Sequence, residues 1–170
     1  MMILKIKHDA FAESPREWDN IGTFCMRHRK YRFGDKGAED IDLDTFKGTW
    51  LPVYMYDHGG ITINTSGFSC PWDSGQIGVI YCDDQKARKE YGWKRITKKR
   101  RAKIRRILDG EIKTLDQFLR GDVWSYSLED EGGNEIDSCS GFYGGDPFTN
   151  GMADHLPEEL SQYKIRHLEN

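Results

Sequence analysis

Apolar and charged residues take turns from Ile3 to His8, the period-two pattern of a half-buried strand. Trp50 to Tyr56 and Ile61 to Thr65 are rich in aromatic and β-branched residues and flank Asp57-His58-Gly59-Gly60, which predicts a β-hairpin. Gln76 to Tyr81 reads as a further strand, entered from the loop Cys70-Pro71-Trp72-Asp73-Ser74-Gly75. Val123 to Leu128 and Glu135 to Tyr143 predict a last hairpin around Glu131-Gly132-Gly133-Asn134. Helical periodicity is sustained once. Ile104, Ile107, Leu108, Ile112, Leu115 and Leu119 share one face, with Thr97 as N-cap and Gly121 as the stop.

The remaining segments are shorter. Ser14-Pro15-Arg16-Glu17 is a helix start, cut short by Asn20 and Gly22, and Lys86 to Tyr91 is one or two helical turns ended by Gly92. Gly34 to Asp44 is an acidic loop. Residues 145–170 read as a Gly-rich segment followed by a short amphipathic helix near Pro157 to Leu168. The expectation is an α+β fold: a mostly antiparallel sheet, one main amphipathic helix at about 97–120, and short peripheral helices. At 170 residues the chain is expected to form one domain.

Charge changes this picture most. The 21 residues from Lys86 to Arg106 hold twelve Lys or Arg and a single acid, Glu90. Removing them from the totals of 25 basic and 28 acidic residues leaves 13 against 27, so the formal charge of −3 divides into +11 and −14. Such a segment is an electrostatic handle for phosphates or an acidic partner. Lys98, Lys99, Arg100, Arg101, Arg105 and Arg106 are the candidate phosphate- or partner-binding residues, and Tyr91 and Trp93 beside them suit base stacking. The alternative is a solvated helix exterior neutralised by the acidic remainder of the protein. The −14 balance also permits an acidic mimic of nucleic acid, although its spread over about 150 residues argues against one.

A second candidate site combines Tyr56, Asp57 and His58 at the hairpin tip with Trp72, Asp73 and Gln76, an aromatic wall with a few polar groups. Cys70 with His58 as its base would be a nucleophile, and Asp57 and His58 with Asp19 or Asp73 would offer mixed N/O metal ligands. Turn formation by Asp, Gly and Ser accounts equally for these strings. No HxH, HExxH or P-loop spacing is present, and the sequence names neither a cofactor nor a metal. Four cysteines without a CxxC pair suggest reduced thiols, and no apolar run reaches membrane-spanning length.

Taken together, Glu13-Ser14-Pro15-Arg16-Glu17-Trp18-Asp19-Asn20, Tyr56-Asp57-His58-Gly59-Gly60, Cys70-Pro71-Trp72-Asp73-Ser74-Gly75-Gln76 and Asp137-Ser138-Cys139 with Gly141-Phe142-Tyr143-Gly144 resemble a family of small, uncharacterised bacteriophage and prophage proteins. The resemblance implies an origin and a setting, the cytoplasm of an infected host, but no catalytic residue. The expected function is therefore an accessory binding protein, for host takeover or counter-defence, that engages nucleic acid, a nucleotide or a host protein. The rival expectation is a metal-dependent hydrolase acting on a phosphate ester. No membrane association is expected.

Overall fold

The computed structural model describes residues 2–156 together with the backbone of 163–168. Among the described residues, two four-stranded sheets and two α-helices give the α+β class, with antiparallel pairing dominant. The chain divides into two compact units. One comprises residues 1–13 and 117–170, the other residues 14–116.

In the first unit, β1 (Met2–His8) lies between β6 (Val123–Glu129) and β8 (Tyr163–Leu168), and β7 (Glu135–Tyr143) completes the order β7-β6-β1-β8. The alternation in β1 does what its pattern predicts. Leu4 and Ile6 are buried opposite Leu128 and Tyr126, while Lys5, on the other face, pairs with Glu129 at 2.6 Å. Phe142, Met152 and Leu156 close this core. The Tyr126 hydroxyl donates to Asp137 Oδ2 at 2.7 Å.

The tail departs from expectation. Tyr163–Leu168 is a strand parallel to β1, not a helix, and the rest of the expected helix, residues 157–162, lies outside the described residues. The free edge of β1 supplies a row of donors and acceptors that a period-two segment can satisfy.

In the second unit the sheet runs β2-β5-β3-β4, all antiparallel: β2 (Thr23–Met26), β3 (Gly48–Asp57), β4 (Ile61–Asn64) and β5 (Ser74–Asp83). One face of β3 buries Thr49, Leu51, Val53 and Met55; the other leaves Trp50, Pro52 and Tyr54 half-buried. α1 (Asp84–Tyr91) is capped by Asp83, whose carboxylate accepts from Lys86 N at 2.7 Å, and ends at Gly92, whose φ of 63° favours glycine. α2 (Lys98–Leu119) starts at Thr97, which accepts from Arg100 N at 3.3 Å, and continues through Gly110.

The buried stripe of α2 is Ile104, Leu108, Ile112 and Leu115. Its carboxylates fasten it to β4: Asp116 accepts from Thr62 Oγ1 (2.6 Å) and Ile63 N (2.7 Å), and Asp109 accepts from Thr65.

A buried ion network holds the start of this unit. Arg16 grips Asp35 with two nitrogens, each at 2.7 Å, and reaches Glu111 of α2 at 2.9 Å, with its side chain 5% exposed. Glu111 Oε1 accepts from the backbone of Ile21 (3.1 Å) and Gly22 (3.0 Å). Burial works against the guanidinium charge, but the hydrogen bonds and charges of Asp35 and Glu111 outweigh it and hold the Arg16 pKa above its ordinary value. Gly22 is required by space, since a Cβ there would lie 2.6 Å from Glu111 Oε2 and 2.7 Å from Leu108.

Candidate nucleic-acid interface

The helix pair α1–α2 gathers the basic segment. Gly92 reverses the chain after α1, and Tyr91 and Trp93 stack with ring centroids 4.5 Å apart. Arg100 lies 4.9 Å from the Trp93 ring, and Lys103 lies 4.6 Å from Tyr91 and 5.7 Å from Trp93. These cation–π contacts hold two basic side chains in place while leaving their charge unneutralised. Burial, reinforced by Glu90, pushes the Tyr91 phenol up and keeps it neutral.

Arg101 behaves differently from its neighbours. Nη1 donates to Gly48 O (2.6 Å) and Thr49 Oγ1 (3.2 Å), and Nη2 to Asp84 Oδ2 (2.9 Å), so this side chain ties α2 to β3 and α1. Among the described residues, Arg101 is the one member of the twelve in ion-pair contact with a carboxylate. The other eleven have none among the described residues. Lys86, Arg88 and Arg100 donate to backbone carbonyls, which orient the side chains without cancelling charge. Lys98, Lys99, Arg105 and Arg106 are exposed. An exterior neutralised by the acidic remainder would show carboxylates at these positions.

Two clefts border this face. One, of about 620 Å³, is lined by Lys47, Arg88, Lys94 and Arg95 together with Asp83, Asp84 and the apolar Phe46 and Ile96. The other, of about 400 Å³, lies over the outer side of β3, with Trp50, Pro52 and Tyr54 on its floor and Gln76, Arg101 and Arg105 around it.

No protein-family model, curated protein or solved structure matches the chain.

The second candidate site is partly assembled. The hairpin tip and the 70–76 loop meet: Asp57 N donates to Asp73 O at 2.9 Å, and His58 Nδ1 lies 3.3 Å from Asp73 Oδ2. Cys70 Sγ is 3.9 Å from the same carboxylate oxygen, and Tyr56 stacks near His58 with centroids 6.0 Å apart. Asp57 turns away, accepting from the Tyr31 hydroxyl at 2.8 Å. Trp72 projects into solvent, 91% exposed, and builds no wall. Gln76 sits opposite Tyr54 on β5, in the β3 cleft. Asp19 lies exposed beyond the first helical turn. Among the described residues, no three His, Cys, Asp or Glu side chains are grouped so as to share a metal ion. In the other unit, Asp137 receives the Tyr126 hydroxyl and Tyr143 donates to Glu13 O at 2.7 Å, both structural contacts.

Sequence reasoning passed over Arg27-His28-Arg29-Lys30-Tyr31-Arg32. It holds four basic residues in six, a signal open to a charge scan at shorter window. His28 and Tyr31 stack at 5.2 Å, Lys30 lies 4.7 Å over the Tyr31 ring, and Arg27 pairs with Asp40. A third cleft, of about 480 Å³, is lined by Met26, Arg27, His28, Arg29 and Arg32. Among the described residues, no helix is long and apolar enough to cross a membrane.

Proposed function

We propose that this chain is a phage accessory protein that binds nucleic acid through the basic face of α1 and α2. One observation carries the reading: eleven of the twelve Lys and Arg side chains between Lys86 and Arg106 lack a carboxylate partner among the described residues. Concentrating like charges without compensation destabilises a fold, so the arrangement makes physical sense when an external polyanion supplies the counter-charge. Phosphates of a nucleic acid do so, releasing condensed counterions as they bind. The Tyr91–Trp93 stack, clamped by Arg100 and Lys103, keeps part of the face rigid. The resemblance of strings such as Cys70-Pro71-Trp72-Asp73-Ser74-Gly75-Gln76 to phage and prophage proteins is the ground on which we extend the proposal to host takeover or counter-defence.

Binding of the wild-type protein to DNA and RNA, compared with a variant carrying Lys98, Lys99, Arg105 and Arg106 changed to Ser, tests the reading. Arg101 is left intact because it holds the fold. Strong binding by the wild type and weak binding by a folded variant is the expected result. Equal binding by both removes the proposal, and retention of a nucleotide or a host protein alone would move the function to that partner.

A further inference from the structure

We infer that the outer face of the β2-β5-β3-β4 sheet is a track for single-stranded nucleic acid, with bases stacked on Trp50 and Tyr54 and phosphates held at both ends. This deepens the reading above and rests on it. A sheet face turned to solvent normally carries polar side chains. Here β3 presents Trp50, Pro52 and Tyr54 to an open cleft of about 400 Å³, while Leu51, Val53 and Met55 fill the core on the opposite side. Aromatic rings on an open strand, with arginine at the rim, suit the flat faces of unpaired bases.

The clefts adjoin one another. That over β3 shares Leu43 and Gln76 with a neighbour of about 460 Å³ over β5 and β2, and that neighbour shares Arg27 with the cleft at Arg29 and Arg32. One path therefore leads from Arg105 of α2, across the aromatic floor, to the basic loop after β2. The two basic clusters that the sequence separates by more than fifty residues stand at its two ends.

The wall between them is acidic, contributed by the 38–44 loop. Asp40 there is paired with Arg27, and Asp42 accepts from Asp44 N (3.1 Å) and Thr45 Oγ1 (2.8 Å). An acidic wall disfavours phosphates in the middle of the path and so directs bases, rather than backbone, onto the sheet. Duplex DNA has its bases paired and stacked already, so it can use the basic helix face but not the floor.

The test uses the full chain with a short oligothymidylate, a duplex of equal length, and an abasic strand with the same number of phosphates. The wild type is expected to bind the oligothymidylate well above the abasic strand. Trp50→Ala with Tyr54→Ala should weaken oligothymidylate binding roughly thirtyfold or more, since each stacked base contributes about 1–3 kcal/mol. Duplex binding should be unchanged in that variant. Equal affinity for oligothymidylate and abasic strand overturns the track while leaving the basic-face reading standing. Wild-type protein that binds no strand of any kind overturns both.

Ultraviolet cross-linking of the wild-type complex needs no substitution and covers the case of a variant that fails to fold. Cross-links in the peptides holding Trp50, Tyr54 and Arg29 support the track; cross-links confined to residues 91–106 contradict it.

Discussion

Arg16 and Arg105 belong to the same compact unit and answer opposite requirements. Arg16 is nearly sealed from solvent, gripping Asp35 and Glu111 and donating to Gly22 O at 2.8 Å. Arg105 stands exposed on α2 with no carboxylate beside it among the described residues. A buried guanidinium tolerates removal from water only when every donor is matched, so its partners must be built into the fold. An exposed one needs no internal partner, and leaving it unmatched keeps its charge for something outside the protein. Arg101 lies between these limits, half-exposed yet fully engaged. The difference teaches that a run of basic residues is not one functional element. It must be sorted position by position according to what each side chain already holds.

Substitutions can break or sharpen that division. Arg16→Ala removes the cation shared by two largely buried carboxylates, Glu111 and Asp35, and should cost about 3–5 kcal/mol by urea unfolding. Paired Arg105→Ser and Arg106→Ser should stay within roughly 0.5 kcal/mol of wild type. Comparable losses in the two would erase the distinction. Gly22→Ala should destabilise by about 1–3 kcal/mol through overpacking, because its Cβ would meet Glu111, Leu108 and Ile80 within 2.8 Å.

Arg101→Ser should lower stability by about 1–3 kcal/mol, with Lys a poor substitute for a guanidinium that reaches three acceptors. A loss of nucleic-acid binding without any loss of stability would place Arg101 with the exposed group instead.

A further expected effect concerns pH and the first unit. Burial, then the hydrogen bond and charge of Asp137, raise the Tyr126 pKa above its ordinary value. A phenol raised in the folded state contributes stability that is complete below its unfolded pKa of about 10 and is lost as pH climbs toward the folded value. Tyr126→Phe should therefore flatten the alkaline limb of a stability–pH curve while leaving the neutral region lower by roughly 1 kcal/mol from the lost hydrogen bond. An unchanged alkaline limb would show that another group governs it.

What the sequence disclosed and what it withheld divide along the same physical line. The β3–β4 hairpin, the extent of α2 and its Thr97 cap were legible because period, turn residues and caps act between neighbours. The Arg16 network was not, since Arg16 and Glu111 lie 95 positions apart and nothing local marks them as partners. For the same reason Trp50 and Tyr54 read only as strand residues: which face of β3 stays open depends on what packs against the other. Tyr163 to Leu168 is ambiguous by itself, and its strand form is decided by the edge of β1. Of the two candidate sites, the excess of eleven positive charges was plain in the sequence, whereas the lack of a carboxylate partner for eleven of the twelve basic side chains, among the described residues, became visible only in three dimensions. The sequence left open whether the 56–60 and 70–76 segments meet, and neither the approach of His58 to Asp73 nor the turn of Asp57 toward Tyr31 was legible in it.

The central claim is that the charge on α1 and α2 is held for phosphates. The most direct measurement is the affinity of the wild-type protein for nucleic acid as a function of salt, beside the variant with Ser at 98, 99, 105 and 106. A steep fall of log K with log salt, made shallower by roughly 3 when those four charges are removed, is the predicted result. Two parallel lines, or binding indifferent to salt, would contradict it.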